Sequence, residues 1–128
     1  MKVVIQRVTY SNLSIDNKIY SQIKRGLVVL IGIAHNDDDN DIQWLAKKIV
    51  NLRIFNDDKN IMNKSLIDVS GELMIVSQFT LHAQTKKGNR PSYIDAANGD
   101  IAEKIYKSFI LEIENKYNLQ VSLSLILF

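Results

Sequence analysis

Residues 26–34, GLVVLIGIA, are apolar without a break. A half-exposed strand would alternate, so a continuous run of this length, opened by glycine, suits a central strand buried on both faces. Upstream, residues 2–10 (KVVIQRVTY) and 12–24 are rich in Val, Ile, Tyr and Thr, and Asp16-Asn17 interrupts them as a turn would. Two or three antiparallel strands are therefore expected before the central one. Downstream, Ile42, Leu45, Ala46, Ile49 and Val50 fall on one helical stripe. The acidic cluster Asp37, Asp38, Asp39 and Asp41 lies at the start of that stripe. There Asp38, Asp39 or Asn40 can cap free amides, and carboxylates suit the positive end of a helix. A calcium loop is the weaker reading, because the cluster lacks the required glycine and distal glutamate.

Further along, residues 56–60 (NDDKN) and Ser70-Gly71 read as turns, and Ser70-Gly71 leads into ELMIVSQFT, a strong strand candidate. Residues 81–95 follow as a polar loop. From about Asn98 to Tyr117, Ile101, Ile105, Phe109, Ile113 and Tyr117 recur every four residues, which predicts a second amphipathic helix. Val121, Leu123, Leu125 and Leu127 then alternate with Ser122, Ser124, Ile126 and Phe128, as a closing strand would. Strands on both sides of two helices make the chain α+β, with a mostly antiparallel sheet or open barrel and the two helices packed against it. No repeat or Pro/Gly/Ser-rich linker divides it, so residues 1–128 are expected to form one domain.

Composition narrows the chemistry. With 46% hydrophobic and 23% charged residues, the chain of 128 is an ordinary globular mixture. No apolar run reaches the roughly 18 residues of a membrane span, and MKVVIQRV has no signal-peptide core. A cytoplasmic protein with no membrane association is expected. The absence of cysteine excludes disulfide scaffolds, thiolate zinc sites and thiol nucleophiles, and two histidines, His35 and His82, argue against a multi-histidine metal centre. Net charge is +2, too small to announce a nucleic-acid binder. Lys86, Lys87 and Arg90, however, share a stretch with no nearby acid. Such a loop can grip phosphate, although three cations in sequence more often end as a solvated loop.

Two segments could carry chemistry together. Ser77-Gln78-Phe79-Thr80 closes the predicted strand, where backbone amides and neutral side-chain donors could stabilise an oxyanion; the plainer reading is a solvated, fraying strand end. Lys86-Lys87-Gly88-Asn89-Arg90-Pro91-Ser92 follows directly, with Gly88 for a tight backbone and Pro91 to stiffen the exit. A Ser77–His82 triad is rejected: no glycine elbow surrounds Ser77, and a strand sends positions five apart to opposite faces. His82 and His35 are read as loop or surface residues. A donor-rich strand end beside a basic loop points to a carbonyl substrate on a phosphate-bearing molecule. Aminoacyl-tRNA, an acyl nucleotide and acyl-CoA all fit.

MKVVIQRV, GLVVLIGI, KKIVNLRIFND and IVSQFTLHAQTKKGNRPSY, in this order, resemble the D-aminoacyl-tRNA deacylases (the D-tyrosyl-tRNA deacylase family) from Met1 to about Tyr117. SQFTL followed at this distance by KKGNRPS is a highly specific pair. The resemblance implies a homodimer that hydrolyses the ester joining a D-amino acid, or glycine mischarged on alanine tRNA, to the 3′ end of tRNA, without metal or organic cofactor. It implies that Ser77, Gln78, Phe79 and Thr80 form the active-site strand end, with Lys86, Lys87, Asn89, Arg90 and Pro91 in the substrate-binding loop beside it. Thr80 is either a nucleophile or a contributor of backbone amide. In the amide version, amides near Phe79 and Thr80 hold the carbonyl, the RNA 2′-hydroxyl assists water, and Phe79 lies near the terminal adenine.

The resemblance also marks a departure. Family members continue with stretches resembling FGADM and NDGPVT, whose Gly-Pro pair excludes L-amino acids from the partner subunit's site and is held with the help of the residue matching Arg7. Here the sequence reads NLQVSLSLILF, and its one proline, Pro91, follows Arg90. That filter maps onto no residue of this sequence. The expectation is a deacylase with weak discrimination between D and L esters, the alternative a catalytically impaired tRNA-binding homodimer or degenerate copy.

Overall fold

The computed structural model describes residues 1–123. Strands β1 (Lys2–Val8), β2 (Ser11–Ile15), β3 (Lys18–Ile23) and β4 (Gly26–Gly32) open the chain, and helix α1 (Asp39–Asn51) follows. The short strands β5 (Phe55–Asn56) and β6 (Met62–Lys64) then lead to β7 (Glu72–Ser77). A 3₁₀ turn (Phe79–His82), helix α2 (Gly99–Tyr117) and β8 (Val121–Leu123) complete the order. Ser124, Leu125, Ile126, Leu127 and Phe128, assigned above to the closing strand, lie outside the described residues.

The main sheet has the order β1-β4-β7-β8. Antiparallel pairing holds for β1–β4, for the separate β2–β3 ribbon and for β5–β6. The main sheet departs from the antiparallel expectation at β4–β7 and β7–β8, which are parallel. The reason is topological: α1 lies between β4 and β7 in sequence, and α2 between β7 and β8, and each returns the chain to the end where the previous strand began. β1 and β8 stay at opposite ends of the order, so the sheet does not close into a barrel.

The turns form where the sequence placed them, for stated reasons. Asp16 and Asn17 both have positive φ, 50° and 63°, as the two central residues of a tight hairpin require. Asn60 and Ser70 likewise adopt positive φ at the other two turns. Asp38 is the N-cap of α1. Its carboxylate accepts from the amides of Asn40 (3.0 Å) and Asp41 (3.1 Å), while the Asp41 carboxylate accepts from the Asp38 amide at 3.0 Å, a reciprocal capping box. Asp37 has another task. It takes the terminal ammonium of Met1 at 2.7 Å and the Ala34 amide at 2.7 Å, nearly out of solvent, and so pins β1 to the start of α1.

One face of the sheet carries Leu27, Val29, Ile31, Leu73 and Ile75, and the two helices pack on it. From α1 come Ile42, Leu45, Ala46, Ile49 and Val50, the stripe read from the sequence. From α2 come Ala102, Tyr106, Phe109, Ile110 and Ile113. The every-fourth-residue series in α2 is therefore only partly buried: a step of four overshoots the 3.6-residue turn, and Ile101 drifts to the exposed side. Each large side chain withdrawn from water here stabilises the fold by about 1.5–3 kcal/mol. Among the described residues no helix is long and apolar enough to cross a membrane.

Candidate active site

The parallel pair β4–β7 sets the site. Ile31 lies opposite Ser77, and one residue later the Gln78 amide still donates to the Ile31 carbonyl at 2.7 Å. The strand then stops. ELMIVSQFT was expected to run extended to Thr80; instead Phe79–His82 coils into a 3₁₀ turn, closed by the Leu81 amide on the Gln78 carbonyl (3.3 Å) and the Ala83 amide on the Thr80 carbonyl (3.2 Å). Gly32 accounts for the tightness. A Cβ there would sit 2.9 Å from Leu81 Cβ and 3.1 Å from both the Gln78 carbonyl oxygen and the His82 ring. Only a bare backbone lets the turn fold back over the end of β4.

His82 is thereby corrected. It is buried at 6% exposure, not a surface residue, and its Nε2 lies 2.9 Å from the Gly32 carbonyl. Because the strand ends at Ser77, strand parity does not separate Ser77 from His82; Gly32 is the partner that holds the imidazole. His35 is exposed as expected, with Nε2 3.1 Å from the Ile94 carbonyl.

A helical turn leaves its first amides without internal acceptors, and no side chain caps this one. The Gln78 side-chain amide donates to Thr80 Oγ1, which ties the two side chains to each other. Ser77 and Thr80 are half-buried and Phe79 is 44% exposed. The Phe79 ring meets Tyr93 edge to face, with centroids 5.2 Å apart and planes at 73°. Tyr93 is a residue that periodicity and charge had not singled out; its one signal was its place at the end of the KKGNRPSY block. Paired amide–carbonyl bonds between Gln84 and Ser92 (2.7 and 2.9 Å) close the base of the basic loop, and Gln84 Nε2 bonds Asp95. Lys86, Lys87, Asn89, Arg90 and Pro91 are all exposed on that loop, and Gly88 turns it at φ +79°.

The structure thus brings residues 77–80 together on one turn and joins them to the root of the loop through Phe79–Tyr93. It places no side-chain contact between the loop cations and residues 77–80. Among the described residues no three His, Cys, Asp or Glu are grouped to hold a metal ion.

Residues 4–124 match the sequence model of the family described as D-Tyr-tRNA(Tyr) deacylase. The chain belongs to that family. It is 55% identical over 113 residues to a D-aminoacyl-tRNA deacylase of Parabacteroides distasonis, covering 88% of this chain and 75% of the relative. It is 51% identical over 121 residues to one of Flavobacterium psychrophilum, covering 94% and 81%. Among solved structures it is similar to the c-Myc DNA Unwinding Element Binding Protein, with a TM-score of 0.87, 34% identity, and 94% of this chain and 83% of that one covered. A probable eukaryotic D-amino acid tRNA deacylase shares the fold, with a TM-score of 0.76 at 18% identity over 92% of this chain and 69% of that one. The α+β reading of the deacylase family member therefore stands, with two helices on a mixed sheet.

Proposed function

We propose that this chain hydrolyses the ester bond of D-aminoacyl-tRNA, and of glycine mischarged on alanine tRNA, releasing the free amino acid and tRNA. The observation that carries the reading is the family match over residues 4–124, and relatives about half identical carry the deacylase name, which favours the deacylase over the impaired binder.

The chemistry is assigned to the turn at the end of β7. An aminoacyl ester is already activated, so the protein has to orient it and stabilise the charge that forms on its carbonyl oxygen. Water adds to that carbonyl, the uncapped amides of Phe79 and Thr80 hold the resulting oxyanion, and the intermediate collapses as the ribose oxygen leaves and takes up a proton. The neighbouring ribose hydroxyl of the RNA assists the attack of water. One preorganised donor of this kind contributes about 3–4 kcal/mol to the barrier reduction. The half-exposed Phe79 ring suits stacking on the terminal adenine. Lys86, Lys87 and Arg90 supply charge for the phosphates, with Asn89 and Pro91 shaping the loop. Thr80 acts through its amide, and its hydroxyl is already engaged by Gln78.

The working form is a homodimer, in keeping with a sheet face on which Val4, 50% exposed, lies beside Leu30. Its substrate sets it in the cytoplasm. Single-turnover deacylation of D-Tyr-tRNA, with L-Tyr-tRNA alongside, tests the activity: release of D-Tyr is expected, and a folded sample that cleaves neither ester would refute the reading. Sedimentation of the same sample tests the dimer.

A further inference from the structure

Helix α1 carries an aromatic residue on its solvent side that the core does not use. Trp44 is 64% exposed, and the Lys48 ammonium lies 5.4 Å from the centre of its ring. With Lys47, Asn51, Leu52 and Arg53 these residues line a hollow of about 560 Å³. Its chemistry is one-sided. Three cations line it and no acid does; none of the three forms an ion pair among the described residues. The Asp68 carboxylate feels the charge of Arg53, yet stands outside the lining. Arg53 is held in place, its Nε donating to the Asn63 carbonyl at 2.9 Å.

A ring flanked by Lys and Arg, with no acid in the lining, matches a sugar–phosphate chain: cations for the phosphates, a flat apolar face for a base or ribose. Position supports the match. α1 begins beside Asp37, which holds Met1 near the Gly32 end of the sheet, and it carries the chain back to Ile54, whose carbonyl accepts from Arg7 at the other end. At 1.5 Å per residue, Trp44, Lys47 and Lys48 lie roughly 8–14 Å along α1 from its start, about two to four nucleotides, and Arg53 stands just beyond the helix end.

We infer that the Trp44–Lys47–Lys48–Arg53 hollow is a second RNA-binding surface, which grips the sugar–phosphate backbone of the tRNA body while its 3′ end occupies the turn at Phe79. The inference rests on the deacylase reading for the identity of the RNA. The surface contributes affinity and leaves the chemical step alone, because its residues stand on another element from the turn.

The test uses the full chain with Trp44→Ala and with Lys47→Glu/Lys48→Glu, exposed positions whose replacement leaves the core intact. Binding of uncharged, labelled tRNA is followed by fluorescence anisotropy across a salt series, and hydrolysis of D-Tyr-adenosine, which lacks the RNA body, is measured alongside. Each variant is expected to weaken tRNA binding about tenfold, and the double variant to reduce the salt slope by about 2, with the small ester cleaved at the wild-type rate. Unchanged tRNA affinity, equal losses on the small ester, or no tRNA binding by the wild type would overturn the inference. So would a variant whose sedimentation changes, which would make the hollow a contact between copies. If the wild type cleaves no ester while tRNA binding still depends on Trp44, the deacylase reading fails and this surface stands. If esters are cleaved and the variants bind tRNA normally, this surface fails alone.

Discussion

The two ends of the β4–β7 pair are built from the same backbone pattern and put to opposite uses. At the start of the pair, Gly26 lies against Glu72 so closely that a Cβ would fall 1.8 Å from the Glu72 carbonyl oxygen, and the Glu72 amide donates to the Arg25 carbonyl at 2.9 Å. Backbone meets backbone, and these polar groups pair with each other. At the far end, about 20 Å away at strand rise, a second close approach at Gly32 folds a turn back over the strand and leaves that turn uncapped. The lesson is that tight packing closes one end, where the polar groups pair with each other, and at the other displays the amides to which the chemistry is here assigned. Parallel strands commonly offer ligand sites at their carboxyl ends for this reason.

The contrast can be broken first at the closed end. Gly26→Val places side-chain atoms inside the Glu72 backbone and should cost more than about 3 kcal/mol, enough for circular dichroism and denaturant titration to register loss of the native sheet. Asp37→Ala strands the Met1 ammonium in a nearly dry setting; unpairing a buried charge typically costs about 3–5 kcal/mol, softened here by fraying of the terminus, and the denaturation midpoint should fall accordingly. At the open end, Tyr93→Ala removes the edge-to-face partner of Phe79. Stability should drop by about 1 kcal/mol or less, while KM for D-Tyr-tRNA rises as the Phe79 ring loses its fixed orientation; an unchanged KM would separate the ring from substrate binding.

The smallest effect concerns acid. Hydrogen bonds from the Ile61 amide to Asp57, and from the Ser65 amide and hydroxyl to Asp68, hold both carboxyls below the usual value of 3.8. Their folded forms bind protons less readily than their unfolded forms. The stabilisation is thus present above the usual value and is lost as pH falls through the lowered ones. Asp57→Asn/Asp68→Asn should flatten the fall of stability below pH 3.8, read from denaturant titrations at stepped pH, without altering either end of the β4–β7 pair.

Much of this architecture was legible because local chemistry decided it. Asp16-Asn17, Asn60 and Ser70 take positive φ where the sequence signalled turns, and Asp38 caps α1 where acids precede an apolar stripe. The parallel pairing was not legible from strand composition; it follows from which strand each helix returns to. Ser77–Thr80 were singled out as a segment, but the 3₁₀ turn was not, because it depends on Gly32, distant in sequence, allowing the chain to fold back. The same long-range contact buries His82, so no local pattern could reveal it. Tyr93 and Trp44 were passed over for a related reason: their roles lie in what they face, and periodicity reports only which side of an element is covered.

The assignment of the chemistry to backbone amides of the turn after β7 can be checked at Phe79. Gln78 before it is extended (φ −145°, ψ 90°), outside the α region that proline disfavours in the residue before it, and proline is accommodated at the first position of a helical turn. Phe79→Ala removes the ring and keeps the amide; Phe79→Pro removes both. Single-turnover deacylation of D-Tyr-tRNA by the two folded variants should differ by about 100-fold or more in favour of alanine, the equivalent of one lost oxyanion donor. Equal rates for the two would contradict the account.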